Sequence, residues 1–312
     1  MEQAEAVHDE VKQDLKHLQA DLLEEQRAVA RLRELRSGLH EREMVLQELE
    51  RQFEGLTAGT RQILTDPLRG EGALGGVHGL IADVFEVQVD MAPMIEVALG
   101  DKAGFLLSGS AKSLRDFLAA QQYAFEGRVG FLASGNVAVR RDGSDAASEA
   151  AILAMQERPG VLGRADQYVK ADPEYADLVR QLLGKTWLVE RLDHALDLAS
   201  AHPDKNFVTR DGCWVGHDGT ICVGPRSHRG GLISRRSELR DLRKQISELE
   251  VNLENREAVA ERLEGEVADA VARLEVASET RQDFQRQVDE CARERTATEQ
   301  RRKQQDEQHP LE

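Results

Sequence analysis

The sequence predicts an α+β fold: a duplicated block at the tip of a long intramolecular antiparallel coiled coil. Three observations carry this prediction. Apolar residues recur at alternating steps of three and four near both ends of the chain. The middle holds two stretches that match each other, with Asp83 and Asp166 separated by 83 positions and Gly100 and Gly184 by 84. The charge is concentrated outside the middle: of a net −16, −6 falls on residues 1–57, −4 on 58–235 and −6 on 236–312.

The second helical segment carries its stripe on Leu239, Leu242, Ile246, Leu249, Leu253, Ala260, Leu263, Val267, Ala270, Leu274, Ala277, Phe284 and Val288. Arg256 and Arg281 interrupt it. The first segment carries Val11, Leu15, Leu18, Leu22, Val29 and Leu32, then Leu35, Leu39, Leu46, Leu49, Phe53 and Leu56. Spacing of this kind keeps one stripe turned toward a partner helix along a supercoil. Stripes this long do not remain in water, so the chain is expected to run out, fold a domain and return to pair with itself. Two successive steps of three near Leu32 and Leu35 read as a stammer. Gly38 lies just beyond, where glycine costs a helix about 1 kcal/mol relative to alanine. A bend over residues 32–38 is expected; loose pairing there is the alternative.

The middle reads as a repeated unit. Its first copy runs from Gly79 through Ala82, Asp83 and an alternating strand to Val87, then a helix ending Ala98-Leu99-Gly100. Its second runs from Gly163 through Ala165, Asp166 and a short strand at Tyr168-Val169, then a helix ending Leu182-Leu183-Gly184. Each copy continues into an apolar strand (Phe105-Leu106-Leu107; Trp187-Leu188-Val189) and another helix (112–122; 193–201). Asp172-Pro173-Glu174 is a helix start, with Asp as N-cap and Pro at the first helical position. Gly100 and Gly184 suit helix ends that need positive φ. Residues 207–223 alternate as strands, with Asp211-Gly212 and Asp218-Gly219 as hairpin turns. Residues 66–79 read as a glycine-rich loop into the block, and a polar stretch near 141–150 divides it. The expected organisation is an outgoing arm over 1–57, a first subdomain over 58–145, a second over 146–235, a returning arm over 236–305, and a tail over 306–312. The ending "HPLE" looks like an expression scar, and the chain reads as part of something longer.

Composition narrows the function classes. Aromatic residues are only 4% and charged residues 31%, which fits solvated helices better than an all-globular chain. Net acidity argues against nonspecific nucleic-acid binding over the whole surface, but leaves room for a local basic patch. Three cysteines, Cys213, Cys222 and Cys291, do not make a closed disulfide set, and a reducing cytosol is expected. No apolar run approaches the roughly 20 residues of a membrane span. The phosphate-loop pattern G-x-x-x-x-G-K-[ST] is absent, and the Gly72–Gly79 run lacks its lysine. Cys213, His217, Cys222 and His228 lack the C-x-x-C pairing of a zinc site, and strand alternation would scatter them over two faces. No catalytic constellation stands out, so no metal or catalytic residue is assigned. One basic cluster does: Arg226, Arg229, Arg235, Arg236, Arg240, Arg243 and Lys244, which Arg61 and Arg69 could join. It is either a phosphate-binding patch or a solvated helix start. Its cations oppose the dipole at the N-terminus of the second arm, a local cost that favours a specific reason for them.

The stretches "GVHGLIADVFEV", "IEVALG", "GRVGFLAS", "VLGRADQYVKADPEYADLVRQLLGKTWLVE", "ALDLA", "FVTRDGCWV" and "GLISRRSEL" together resemble the hinge of the SMC family, in its bacterial chromosome-partition (condensin) branch. The likeness covers roughly residues 76–240, in order, with helical arms on both sides. The resemblance implies a homodimer in which a strand edge of one subunit's first subdomain meets an edge of the other's second subdomain. Here those edges would be Val129, Gly130, Phe131, Leu132 and Ala133, and Gly219, Thr220, Ile221, Cys222, Val223 and Gly224. Thr220 and Pro225 stand where the family has second glycines, and Pro225 removes a donor. The same glycines also suit tight turns. The resemblance further implies nonspecific DNA contact at the junction of hinge and arms, through the basic cluster. It places ATP, magnesium and kleisin-type partners at heads outside this sequence, and the protein in the cytoplasm at the nucleoid. A related SMC-like repair protein is the near alternative, and a noncatalytic scaffold whose inserted domain docks another protein is the distant one. Rad50-type tips carry a C-x-x-C zinc hook that this chain lacks.

Overall fold

The computed structural model describes residues 2–65, 77–120, 125–133, 152–224 and 231–308. They fall into two compact units, one of Met1–His40 with Gln245–Glu312 and one of Glu41–Lys244. Helix α1 spans Glu2–Arg51 and α2 spans Ala58–Thr65. The first copy of the repeat follows as β1 (Val77–Leu80), α3 (Ile81–Val84), β2 (Glu86–Val87), α4 (Ala92–Leu99), a 3-10 turn (Gly100–Gly104), β3 (Leu106–Ser108), α5 (Ala111–Ala120) and β4 (Phe131–Ala133). Residues 152–156 form α6. The second copy is β5 (Val161–Arg164), a 3-10 turn (Ala165–Tyr168), β6 (Val169–Lys170), a further 3-10 turn (Pro173–Tyr175), α7 (Ala176–Leu183), β7 (Thr186–Val189), α8 (Leu192–Ala201) and β8 (Asn206–Thr209). Two short strands, β9 (Trp214–Val215) and β10 (Ile221–Cys222), lead to α9 (Leu232–Gln308).

The duplication holds at the level of strand pairing. β1 is antiparallel to β3, which is parallel to β4; β5 is antiparallel to β7, which is parallel to β8. The register slips at the same place in both copies, between Val77 and Gly79 and between Val161 and Gly163. Both glycines have positive φ, 137° and 150°. A Cβ on Gly79 would stand 2.6 Å from the Asp83 carboxylate, and one on Gly163 would stand 2.9 Å from the Tyr168 hydroxyl. Only glycine fits such a bulge without strain.

The two copies are joined rather than separate. β2 pairs antiparallel with β6, setting Glu86 opposite Lys170 and Val87 opposite Val169. Ile81, Phe85, Ile95 and Leu106 share one apolar cluster with Ala165, Leu183, Leu188 and Val208. Behind the five-stranded sheet β10-β9-β8-β7-β5 a second cluster gathers Trp187, Val189 and Phe207 with Met155, Ala195 and Leu198. Alternation along β7 sends Leu188 to one cluster and Trp187 and Val189 to the other. Coverage of both faces is why this strand reads as a continuous apolar run. Burying each such side chain is worth roughly 1.5–3 kcal/mol.

In the first unit, α1 and α9 pair antiparallel. Gln26 Nε2 donates to Glu264 at 3.1 Å and Arg33 Nη2 to Glu257 at 2.6 Å, so numbers rise on one helix as they fall on the other. Arg256 Nη1 meets both oxygens of Glu25 at 2.8 and 2.9 Å. Val29, Leu253, Leu263 and Ala270 are buried along the seam. Exposed ion pairs of this kind add only about 0–1 kcal/mol each, so the apolar stripe holds the pair and the charges align it.

Several expectations are corrected. α1 continues as helix through Gly38, and Leu35 is 52% exposed, outside the seam. The stripe keeps its steps of four and three by running through Val29, Leu32, Arg36, Leu39, Glu43 and Leu46. Glu43, only 9% exposed, takes a seam position. It accepts hydrogen bonds from Gln47 at 2.7 Å and from Arg243 Nε at 3.0 Å. The helix thus tolerates two polar seam residues instead of rotating its stripe. α1 also stops at Arg51 rather than near 57, because Phe53 turns to positive φ (52°) and packs on the core of the block. Phe284 and Val288 are each 43% exposed on α9. One turn of helix, Ile81–Val84, replaces most of the strand expected before Val87. Gly100 has positive φ (59°), but Gly184 is right-handed at −65°. Asp172 caps through its backbone carbonyl, which accepts from Tyr175 N–H at 2.8 Å, and not through its side chain. The expected loop over 66–76, the division near 141–150, and the tail at 309–312 lie outside the described residues.

Candidate functional site

β4 and β10 each lie at one end of a sheet among the described residues, as β1 and β5 do at the opposite ends. β4 closes the order β1-β3-β4 and β10 closes the order β10-β9-β8-β7-β5. They are the two edges expected from the sequence, and they are built differently. Val129–Ala133 are half-buried. Phe131 stacks into an aromatic group with Phe117 at 5.8 Å and Phe125 at 6.1 Å. The Gly130 carbonyl accepts from Leu106 N–H at 2.9 Å, and a Cβ on Gly130 would collide with the Phe105 ring at 2.2 Å. That glycine serves packing within the subunit. Leu132 pairs with Leu107 of the neighbouring strand.

Residues Gly219–Gly224 are all exposed. Ile221 and Val223 present apolar side chains that are 52% and 65% exposed. Ile221 and Cys222 pair inward with Val215 and Trp214. Gly219 and Gly224 have positive φ, 82° and 107°. Asp218 shapes the turn by accepting from Thr220 N–H at 2.9 Å, and that bond holds its carboxyl below the ordinary carboxylate range. An edge strand with bare apolar side chains is a template for another strand.

The second place of interest is the root of α9. Its cations were expected on the surface; Arg235 lies inside and Arg236 is half-buried. Arg235 is 7% exposed, and its guanidinium donates to the Glu54 carbonyl. Arg236 bridges Glu50 at 3.2 Å and Asp83, with its side chain 22% exposed. Burial lowers the Arg236 guanidinium from its ordinary range, against the opposing pull of Glu50. Arg240 lies 3.8 Å from Glu86 and Arg243 3.0 Å from Glu43, both with substantial exposure. Lys244 is exposed. Arg226 and Arg229, with Pro225, Arg69 and His228, lie outside the described residues. The opposition of these cations to the helix dipole has its physical reason here: acids from α1, α3 and β2 face them.

Beside this root lies a cleft of about 860 Å³, lined by Gly55, Thr57, Glu96, Asp101, Arg128, Arg210, Asp211, Gly231 and Arg235 among others. Arg128 and Arg210 are exposed on it, and neither makes an ion pair among the described residues. Neither belongs to the basic run of the sequence, and each lies beside a turn or strand signal. Their convergence with the arm root is visible only in three dimensions. No group of three or more His, Cys, Asp or Glu placed to hold a metal occurs among the described residues. His217 Nδ1 instead meets Asn206 at 2.9 Å. None of the described helices is long and apolar enough to cross a membrane.

Residues 74–199 match the family model described as the SMC proteins flexible hinge domain. The chain is 32% identical over 238 residues to the chromosome partition protein Smc of Rhodopirellula baltica, covering 76% of this chain and 19% of that protein. It is 26% identical over 208 residues to the same-named protein of Bacillus subtilis, covering 66% and 17%. The chain thus spans about a fifth of the length of these relatives. Among solved structures it superposes on one chain of a structure described as an asymmetric dimer of the Geobacillus stearothermophilus SMC hinge domain. The TM-score is 0.67 at 25% identity, covering 81% of this chain and 99% of that one. The fold is therefore that of a known SMC hinge, and the chain belongs to the SMC family as a hinge domain with flanking coiled-coil helices.

Proposed function

We propose that this chain is the dimerisation hinge of a chromosome-organising SMC protein, joining two coiled-coil arms so that ATP-driven heads elsewhere can open and close a ring around DNA. The observation that carries this reading is the pair of open sheet edges. Backbone pairing of β4 from one copy with β10 from another would satisfy the unpaired groups and cover Ile221 and Val223. The Geobacillus hinge, described as an asymmetric dimer, supports dimerisation. In this reading the chain is not itself an enzyme. ATP, magnesium and kleisin-type partners belong to the heads, and the whole protein works in the cytoplasm at the nucleoid.

Light scattering on the intact chain tests the proposal. A mass of twice 34.8 kDa is expected at roughly ten micromolar and above. Ile221→Pro with Val223→Lys should return it to a monomer with unchanged circular dichroism. A wild-type monomer throughout that range would refute dimerisation and favour the docking scaffold.

Nonspecific DNA contact at the arm junction is the second part of the reading. Arg128 and Arg210 favour it, as exposed cations on the cleft, together with the exposed parts of Arg240 and Arg243. Binding would arise from counterion release and would fall steeply with salt. In fluorescence anisotropy, Arg128→Glu with Arg210→Glu should weaken binding at least tenfold at low salt. Arg240→Glu with Arg243→Glu measures the share of the basic cluster. No change in either pair removes DNA from the function.

A further inference from the structure

We infer that Asp83 and Glu96 form a two-carboxylate seat on the first copy of the repeat that holds the first turn of α9, with Glu96 acting as the N-cap of that helix. The α9 segment itself supplies no capping side chain at this end: the residue before Leu232 is Gly231. Instead, Glu96 Oε2 accepts from Ile233 N–H at 2.7 Å and from Ser234 N–H at 3.2 Å, across 137 and 138 positions of chain. A carboxylate at a helix N-terminus satisfies orphan amides and complements the dipole. One turn further on, Asp83 holds Arg236, while its other oxygen accepts from Leu80 N–H at 2.7 Å.

Gly231 makes room for this. A Cβ there would stand 2.1 Å from the Glu96 side chain. The comparison between copies shows that the seat is specific to the first. The amide of Gly100 bonds the Glu96 carbonyl and that of Gly184 bonds the Arg180 carbonyl, so Glu96 and Arg180 are counterparts. Asp83 and Gln167 are counterparts too, each accepting from the amide three residues earlier, Leu80 and Arg164. The second copy thus offers an amide and a cation where the first offers two acids. Only the first can receive an N-terminus and an arginine.

Glu96 is therefore a positioning residue for the returning arm, which leaves the block fixed to the first copy at two points. Hydrogen exchange on the intact chain tests this. In Glu96→Ala the amides of Ile233 and Ser234 should exchange roughly fivefold to tenfold faster, the factor that loss of a helix cap gives. Leu106–Ser108 should be unchanged. Gly231→Ala, which keeps the carboxylate but pushes a flexible side chain aside, should reproduce the effect and cover the case in which Glu96→Ala does not fold. Arg180→Ala should leave these amides as in wild type. Unchanged exchange at Ile233 and Ser234 in Gly231→Ala, or an equal rise in the strand amides, would overturn the assignment.

Discussion

The two copies of the repeat share a topology and differ in what they hold. Both begin with a glycine bulge, run antiparallel and then parallel, and end in a third strand. The first copy ends at β4, with an aromatic cluster behind it, and carries acids toward the arm root. The second adds β9 and β10, ends on a bare apolar edge, and pairs Arg164 with Asp166 at 2.6 Å within the copy. Duplication thus supplied two equivalent frames, and a few side chains turned one toward the arm and the other toward solvent. The shared backbone is explained by glycine and apolar positions, and the division of labour by charge.

The comparison can be broken most severely through the shared core. Leu188 is fully buried in the cluster common to both copies. Leu188→Ala is expected to cost about 2–5 kcal/mol and to lower one cooperative transition in urea. Two separate transitions would show that the copies fold independently. Next come the bulges. Gly79→Ala and Gly163→Ala should each destabilise by about 1–3 kcal/mol, since both force a side chain into a strained φ and a close contact. A large effect at one and none at the other would break the equivalence of the two frames.

Unequal charge predicts a smaller and asymmetric effect. Asp83→Ala should cost about 1–3 kcal/mol by removing one of the two acids on Arg236 and the acceptor of Leu80 N–H, while Gln167→Ala should cost about 0.5 kcal/mol or less. Thermal unfolding of the two variants measures the difference, and equal costs would dissolve the distinction drawn between the copies. The smallest effect concerns the turn found only after the second copy. Asp218 has its carboxyl lowered by the bond from Thr220 N–H. A lowered folded-state value means that its contribution is present at neutral pH and is lost as pH falls below the ordinary carboxylate range. Exchange of the Thr220 amide should quicken there relative to the intrinsic rate, and Asp218→Asn should remove that dependence.

Much of this was legible in the chain. Heptad spacing gave the two helices, and Asp-Gly pairs at 211–212 and 218–219 gave the meander turns. The repeat is visible in the sequence too, but one position off at Asp83 and Asp166: the structural counterpart of Asp83 is Gln167, and Asp166 pairs with Arg164. Leu35 is apolar yet lies outside the stripe, because the helix period brings Arg36 and Glu43 into it. The arm root was illegible for a different reason. A run of arginines looks the same whether acids or solvent face it, and the facing acids come from Glu50, Asp83 and Glu86, far away in sequence.

By itself, then, the sequence determined what repeats locally: helix period, strand alternation, turn glycines and the doubled unit, because these follow from side chains a few positions apart. The tertiary structure alone decided which cations are neutralised, which carboxylate caps the returning helix and which strands are left at an edge. Those outcomes depend on groups brought together across the whole block, and only the folded backbone sets such distances.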